Sequence, residues 1–162
     1  MNNHKHPIIE KIYARQILDS RGFPTIEVEI CASGAIGRAA VPSGASTGEF
    51  EALELRDMDK NRFHGKEVSV AINNVLNVFQ PQLINKRSDN QKEIDELLIE
   101  IDGTKNKSKY GANAMLGISM ACAAVSANFY NQPLYRYLNK DSFIVPIPMI
   151  NVLNGGMHAN RG

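Results

Sequence analysis

The sequence predicts an α+β fold, a three-stranded antiparallel meander followed by a helical bundle. Three observations predict it. The first forty residues alternate apolar and polar positions in short runs rich in β-branched residues, separated by turns. After a glycine-rich loop near residue 45 the apolar spacing changes to steps of three and four. With 162 residues, 43% of them hydrophobic and 22% charged, the chain can bury a core and suits one domain, or one domain plus a fragment.

The strands come first. Residues 8–18 read as a strand with Ile9, Lys11, Tyr13, Arg15 and Ile17 on one face. Asp19-Ser20-Arg21-Gly22-Phe23-Pro24 is a turn. Residues 25–30 place Ile26, Val28 and Ile30 on one face and Glu27 and Glu29 on the other, the signature of a half-buried antiparallel strand. Ala32-Ser33-Gly34 turns the chain into a third strand over residues 35–41. Short strands joined by tight turns make a meander.

The helices follow. Residues 49–57 read as a short helical stretch. Val68, Ala71, Ile72, Val75, Leu76 and Phe79 mark an amphipathic helix with Pro81 near its end. Ser88-Asp89-Asn90-Gln91 fits a capping box for a helix carrying Ile94, Leu97, Leu98 and Ile101 and stopping at Gly103. Residues 105–109 form a basic loop. Residues 112–129 are apolar on nearly every side and rich in small residues. Their length approaches a membrane span of about 20 residues, but Asn113, Ser119, Ser126 and Asn128 interrupt them, so a buried central helix is expected and no membrane span. Pro133 at the first helical position starts a short helix over residues 134–138. After a proline-punctuated link, residues 149–153 read as a buried-type strand running into Asn154-Gly155-Gly156. Such a strand needs partners for its backbone, and residues 157–162 supply none, so the chain reads as cut short or completed by something else.

Charge and cysteine usage narrow the function classes. The net charge is +1 and the basic residues are scattered, which argues for no nucleic-acid partner. Cys31 and Cys122 lack metal-ligand spacing and read as two reduced, buried thiols in a cytosolic protein. Residues 1–6 lead into no apolar run, so no secretory signal is expected. His4 and His6 read as a disordered polar tip rather than a chelating pair.

The stretch Val41-Pro42-Ser43-Gly44-Ala45-Ser46-Thr47-Gly48 carries most of the chemical interest. Glycines free the backbone to approach a ligand, consecutive N–H groups can cradle an anion, and hydroxyls can bind a hard cation. The residues alone leave two readings open, a phosphate- or metal-binding loop and a surface linker. It is not a P-loop, since no Gly-Lys-Ser/Thr ending follows.

That block is one of several that occur together. The others are Ala14-Arg15-Gln16-Ile17-Leu18-Asp19-Ser20-Arg21-Gly22, Glu51-Ala52-Leu53-Glu54-Leu55-Arg56-Asp57, Gly111-Ala112-Asn113-Ala114 and Asn151-Val152-Leu153-Asn154-Gly155-Gly156. In this order they resemble the N-terminal part of the enolase family over nearly the whole chain. The resemblance implies a small α+β domain over residues 1–141. Residues 142–162 would be a linker and the first strand of an eight-stranded barrel whose remainder is absent. It implies dehydration of 2-phosphoglycerate to phosphoenolpyruvate in the cytoplasm by a homodimer. Two magnesium ions, a lysine base and a glutamate would do the work, a logic carried over from the family.

Residue by residue, the resemblance implies that Ser46 ligates the second magnesium when its loop closes, and that Gly44 and Ala45 belong to the backbone covering the substrate. It places His158 in the active site, touching substrate and acting in catalysis, and sets Arg15 and Glu27 in ion pairs across the dimer. The lysine base, the general acid and the carboxylates of the first metal site match nothing in these 162 residues. Phe23 stands where the family has asparagine, and Asn160 and Arg161 depart from its pattern after the histidine. The expectation is therefore an N-terminal portion of an enolase, inactive alone. The alternative is a non-catalytic, enolase-derived module that docks on a full-length enolase or another partner.

Overall fold

The computed structural model describes residues 5–44, 48–141 and 144–153. Its sheet follows chain order, β1 (Ile9–Leu18), β2 (Pro24–Ala32) and β3 (Ala35–Ala40), each antiparallel to the one before. The β2 alternation is realised in full: Ile26, Val28 and Ile30 are completely buried, while Glu27 and Glu29 look outward. The turn after β2 uses Ser33 at φ 45° and Gly34 at φ 83°, the paired positive φ angles of a two-residue hairpin loop.

β1 departs from the expected facing. Its register slips between Ile9 and Lys11, so Glu10 is an extra residue, and parity reverses beyond it. Ile9 and Ile12 are buried, whereas Lys11, Tyr13 and Arg15 are exposed. The five-residue stripe at odd positions is therefore split between two faces.

The first helical run is α1 (Ser69–Asn74), a π turn (Val75–Phe79) and α2 (Gln80–Leu83) in direct succession. Pro81 explains the widening. Its ring would collide with the carbonyl four residues back, at Asn77, and the π turn opens the ladder there. Then come α3 (Gln91–Asp102), α4 (Ala112–Phe129) and α5 (Leu134–Leu138). α3 ends as expected, with Gly103 at φ 67° donating its N–H to the Ile99 carbonyl. The expected capping box is not formed. Ser88 Oγ instead bonds Ser126 Oγ at 2.8 Å in the core, and Asn90 makes no side-chain cap. Pro133 sits one residue earlier than expected, as the extended N-cap of α5.

α4 covers the inner face of the sheet. It is long and apolar enough to cross a membrane by length and composition, and here its buried residues pack on β2 and β3. Small residues let it come close. A Cβ on Gly37 of β3 would lie 2.0 Å from Val125 N, and one on Gly117 would lie 2.6 Å from Val28 Cγ2. Around this contact the core gathers Ile118, Ala121 and Val125 with Phe79, Leu83, Ile94 and Leu98.

Three further expectations are corrected. Residues 51–58 form no helix; their backbone groups are taken by distant partners, described below. Cys122 is buried, but Cys31 is half-buried on the outer side of β2. His4 lies outside the described residues, but the chain is docked from His6 onward, with Ser33 Oγ donating to the His6 carbonyl at 3.1 Å and Ile8 N–H donating to Ser33 Oγ at 2.9 Å. Residues 144–153 carry no regular secondary structure and are exposed, Met149 at 99% and Val152 at 90%. The strand read over 149–153 has no ladder among the described residues.

Candidate functional site

The glycine loop leaves the sheet from a firm base. Val41 N–H donates to the Ile26 carbonyl at 2.8 Å, and Thr25 Oγ1 donates to the Val41 carbonyl at 2.7 Å, so strand pairing extends one residue past β3. Two arginines then meet Ser43. Arg21 Nη2 donates to the Ser43 carbonyl at 3.0 Å, and Arg56 Nη2 donates to Ser43 Oγ at 3.1 Å. Arg21 is aimed by its own turn. Asp19 Oδ1 accepts the N–H groups of Arg21 and Phe23 at 2.8 and 2.9 Å, and Oδ2 pairs with the Arg21 guanidinium at 3.0 Å. The Phe23 N–H and then Arg21 hold the Asp19 carboxyl below its ordinary range. Phe23 is capped by the Lys66 ammonium 3.4 Å from its ring centroid.

The returning leg is extended because its backbone is used for docking. Leu53 N–H donates to the Asn106 carbonyl and Ala112 N–H to the Leu53 carbonyl, both at 2.8 Å. The Asn113 side-chain amide mimics another strand, accepting from Leu55 N–H at 3.1 Å and donating to the Leu55 carbonyl at 3.0 Å. Gly111 lets that approach happen: a Cβ there would lie 2.6 Å from both Leu55 Cβ and Asn113 Oδ1. In an extended segment Glu54 and Arg56, two residues apart, point the same way. They form an ion pair at 2.5 Å beneath the loop.

The two legs border a cleft of about 600 Å³ whose lining includes Gly44, Gly48, Glu51, Glu54, Arg56 and Asn113. Gly44 is thus at the cleft, exposed. Ala45, Ser46 and His158 lie outside the described residues. Arg15 and Glu27 do not line this cleft. They are opposite one another on β1 and β2, paired at 2.8 Å, and Glu29 and Arg38 extend the pair into a ladder on the outer face of the sheet. The anchors Arg21, Glu54, Arg56 and Asn113 are not candidates on the sequence alone. The available signal is the i, i+2 spacing of Glu54 and Arg56, which a helical reading of residues 49–57 conceals.

The donor set tests the fit to magnesium. Among the described residues no three carboxylate, imidazole or thiol groups come together, and Glu54 is already neutralised by Arg56. No cluster of three such groups is therefore available among the described residues to hold a magnesium ion.

Residues 9–138 match the family described as enolase, N-terminal domain. The enolases of Methanosarcina barkeri, Methanosarcina acetivorans and Methanosarcina mazei are each 57% identical over 154 residues, covering 94% of this chain and 36% of the relative. The chain spans about a third of the length of the curated relatives it matches.

Proposed function

This chain belongs to the enolase family, and we propose that it supplies the N-terminal domain and substrate-covering loop of a magnesium-dependent 2-phosphoglycerate dehydratase. In this reading residues 1–141 are the domain and residues 142–162 lead into the barrel. Gly44 and Ala45 cover the substrate, and Ser46 reaches the second magnesium ion. His158 completes the substrate end and acts in catalysis. When bound, the two magnesium ions of the intact enzyme neutralise the substrate carboxylate as it gains charge. The described residues of this chain bind and orient the loop rather than the metal. Arg15 and Glu27, now paired with each other, exchange partners across a homodimer of the intact enzyme. The enzyme works in the cytoplasm.

The observation that carries this reading is the anchored loop. Identity to enolases spans 94% of the chain, and both legs of residues 41–57 are tied down beside one cleft by Arg21, Arg56 and Asn113. The test is a hybrid in which residues 1–153 replace the matching third of the Methanosarcina barkeri enolase. The hybrid is expected to turn over 2-phosphoglycerate with magnesium and to lose turnover on Ser46→Ala, while residues 1–162 alone show none. A folded hybrid without turnover, or turnover by the 162-residue chain, would count against the reading.

The second reading, a non-catalytic module docking on a full-length enolase or another partner, draws on the exposed apolar run at residues 144–153, where Ile144 and Ile147 are each 91% exposed. A stoichiometric complex purified from source cells would favour it.

A further inference from the structure

We infer that Arg56 is a positioning residue that fixes the departure and the return of the glycine loop. Its guanidinium joins four segments. Nη1 donates to the carbonyls of Pro24 at 2.6 Å and Lys66 at 2.5 Å, and Nη2 donates to Ser43 Oγ at 3.1 Å and Glu54 Oε1 at 2.5 Å. Pro24 opens β2, Lys66 leads into α1, Ser43 lies in the outgoing leg and Glu54 in the returning one. One planar group thus references both legs to the sheet and to the first helical run.

The chemistry requires arginine. The four bonds use the fixed fork of a guanidinium, whereas a lysine ammonium has three donors around a single point. The side chain is only 15% exposed, so water competes poorly for these charge-assisted bonds. Arg21 reinforces the outgoing leg separately. It holds the Ser43 carbonyl at 3.0 Å while Arg56 holds the hydroxyl of the same residue. The part of this inference that concerns turnover rests on the enolase reading; the part that concerns the legs does not.

The test separates the two. Leu53, Leu55 and Asp57 donate their N–H groups to the Asn106 carbonyl, Asn113 Oδ1 and the Glu67 carbonyl, so amide exchange by NMR on the 162-residue chain reads the returning leg directly. Arg56→Lys keeps the charge and removes the fork. It is expected to speed exchange at these three amides about tenfold, the equivalent of one net hydrogen bond, while Val28, Ile30 and Ile118 keep their rates. Equal acceleration in leg and core, or none in the leg, would overturn the inference. If Arg56→Lys does not fold, Glu54→Gln and Ser43→Ala each weaken one tie, and acceleration confined to residues 41–57 is the supporting outcome. In the hybrid enzyme Arg56→Lys should lower kcat by a larger factor than it raises KM, and unchanged kcat would overturn the catalytic part. An inactive parent hybrid would fault the enolase reading and leave the exchange result to decide the role of Arg56.

Discussion

Gly37→Ala tests the packing of α4 on the sheet. The new Cβ would lie 2.0 Å from Val125 N, 2.4 Å from Val125 Cα and 2.6 Å from Val125 Cβ. Ordinary carbon contacts are about 3.5–4.0 Å, so the two backbones must separate by roughly 1.5 Å. A side chain could rotate away; a helix backbone cannot. Moving α4 also loosens the core that includes Ile118, Ala121 and Val125, all fully buried here. Overpacking costs about 1–3 kcal/mol, occasionally more. An alanine in a strand recovers about 0.5–1 kcal/mol relative to glycine. With main-chain atoms on the far side of the clash the top of that range applies, and a net loss of about 2 kcal/mol is expected, or roughly 4–8 °C in Tm for a chain of this length. Urea unfolding followed by circular dichroism measures it, with the midpoint falling and the slope unchanged. Two controls sharpen the result. Gly22→Ala meets nothing within 4 Å but sits at φ 75°, so it reports torsional cost alone, about 1 kcal/mol. Val125→Ala should not rescue Gly37→Ala, because the nearest clashing atoms are backbone. A Gly37→Ala variant no less stable than Gly22→Ala, or rescued by Val125→Ala, would refute the argument.

Other expectations follow from the same geometry. Asn113→Ala leaves the Leu55 N–H and carbonyl without partners and should cost about 2 kcal/mol in urea unfolding; a loss under about 0.5 kcal/mol would mean water replaces the amide. Burial works against the ionised Asp102 carboxylate, but the Thr104 hydroxyl and the Tyr110 and Thr104 N–H groups outweigh it and hold its pKa below the ordinary value. With the folded value lower than the unfolded one, its contribution is present above about pH 4 and lost as pH falls through the folded value. Asp102→Asn should therefore flatten the acid limb of the stability profile, and an unchanged limb would exclude Asp102 as a contributor. Burial pushes the Cys122 thiol up to about 12, so a thiol reagent should label only Cys31 in the native protein. Labelling at both cysteines without urea would show that α4 opens.

Much of the fold is written locally. The α4 boundaries coincide with the apolar run at 112–129, and β2 is legible because period-two alternation has one meaning at that length. Parity in β1 is not legible, because a one-residue bulge at Glu10 reverses every later side chain without changing composition. The stretch 49–57 looks helical from its Glu, Ala and Leu content. Its conformation is decided instead by Asn106 and Asn113, more than fifty residues away. The candidate site divides the same way. Gly44 stands out through the glycines and hydroxyls around it. Arg21 and Arg56 gain their roles only when turn, loop legs and the approach to α1 are brought together, and no spacing rule reports that.

The strictly sequential sheet has a consequence for synthesis. Each strand of the meander finds its partner already emerged, so β1, β2 and β3 can pair in the order in which the ribosome releases them. The helix that covers their apolar face begins at Ala112, roughly 70 residues after β3 ends at Ala40. At about 5–20 residues per second, that face waits on the order of 4–14 seconds for its cover. Ile26, Val28 and Ile30, fully buried in the finished fold, are during that interval open to a chaperone.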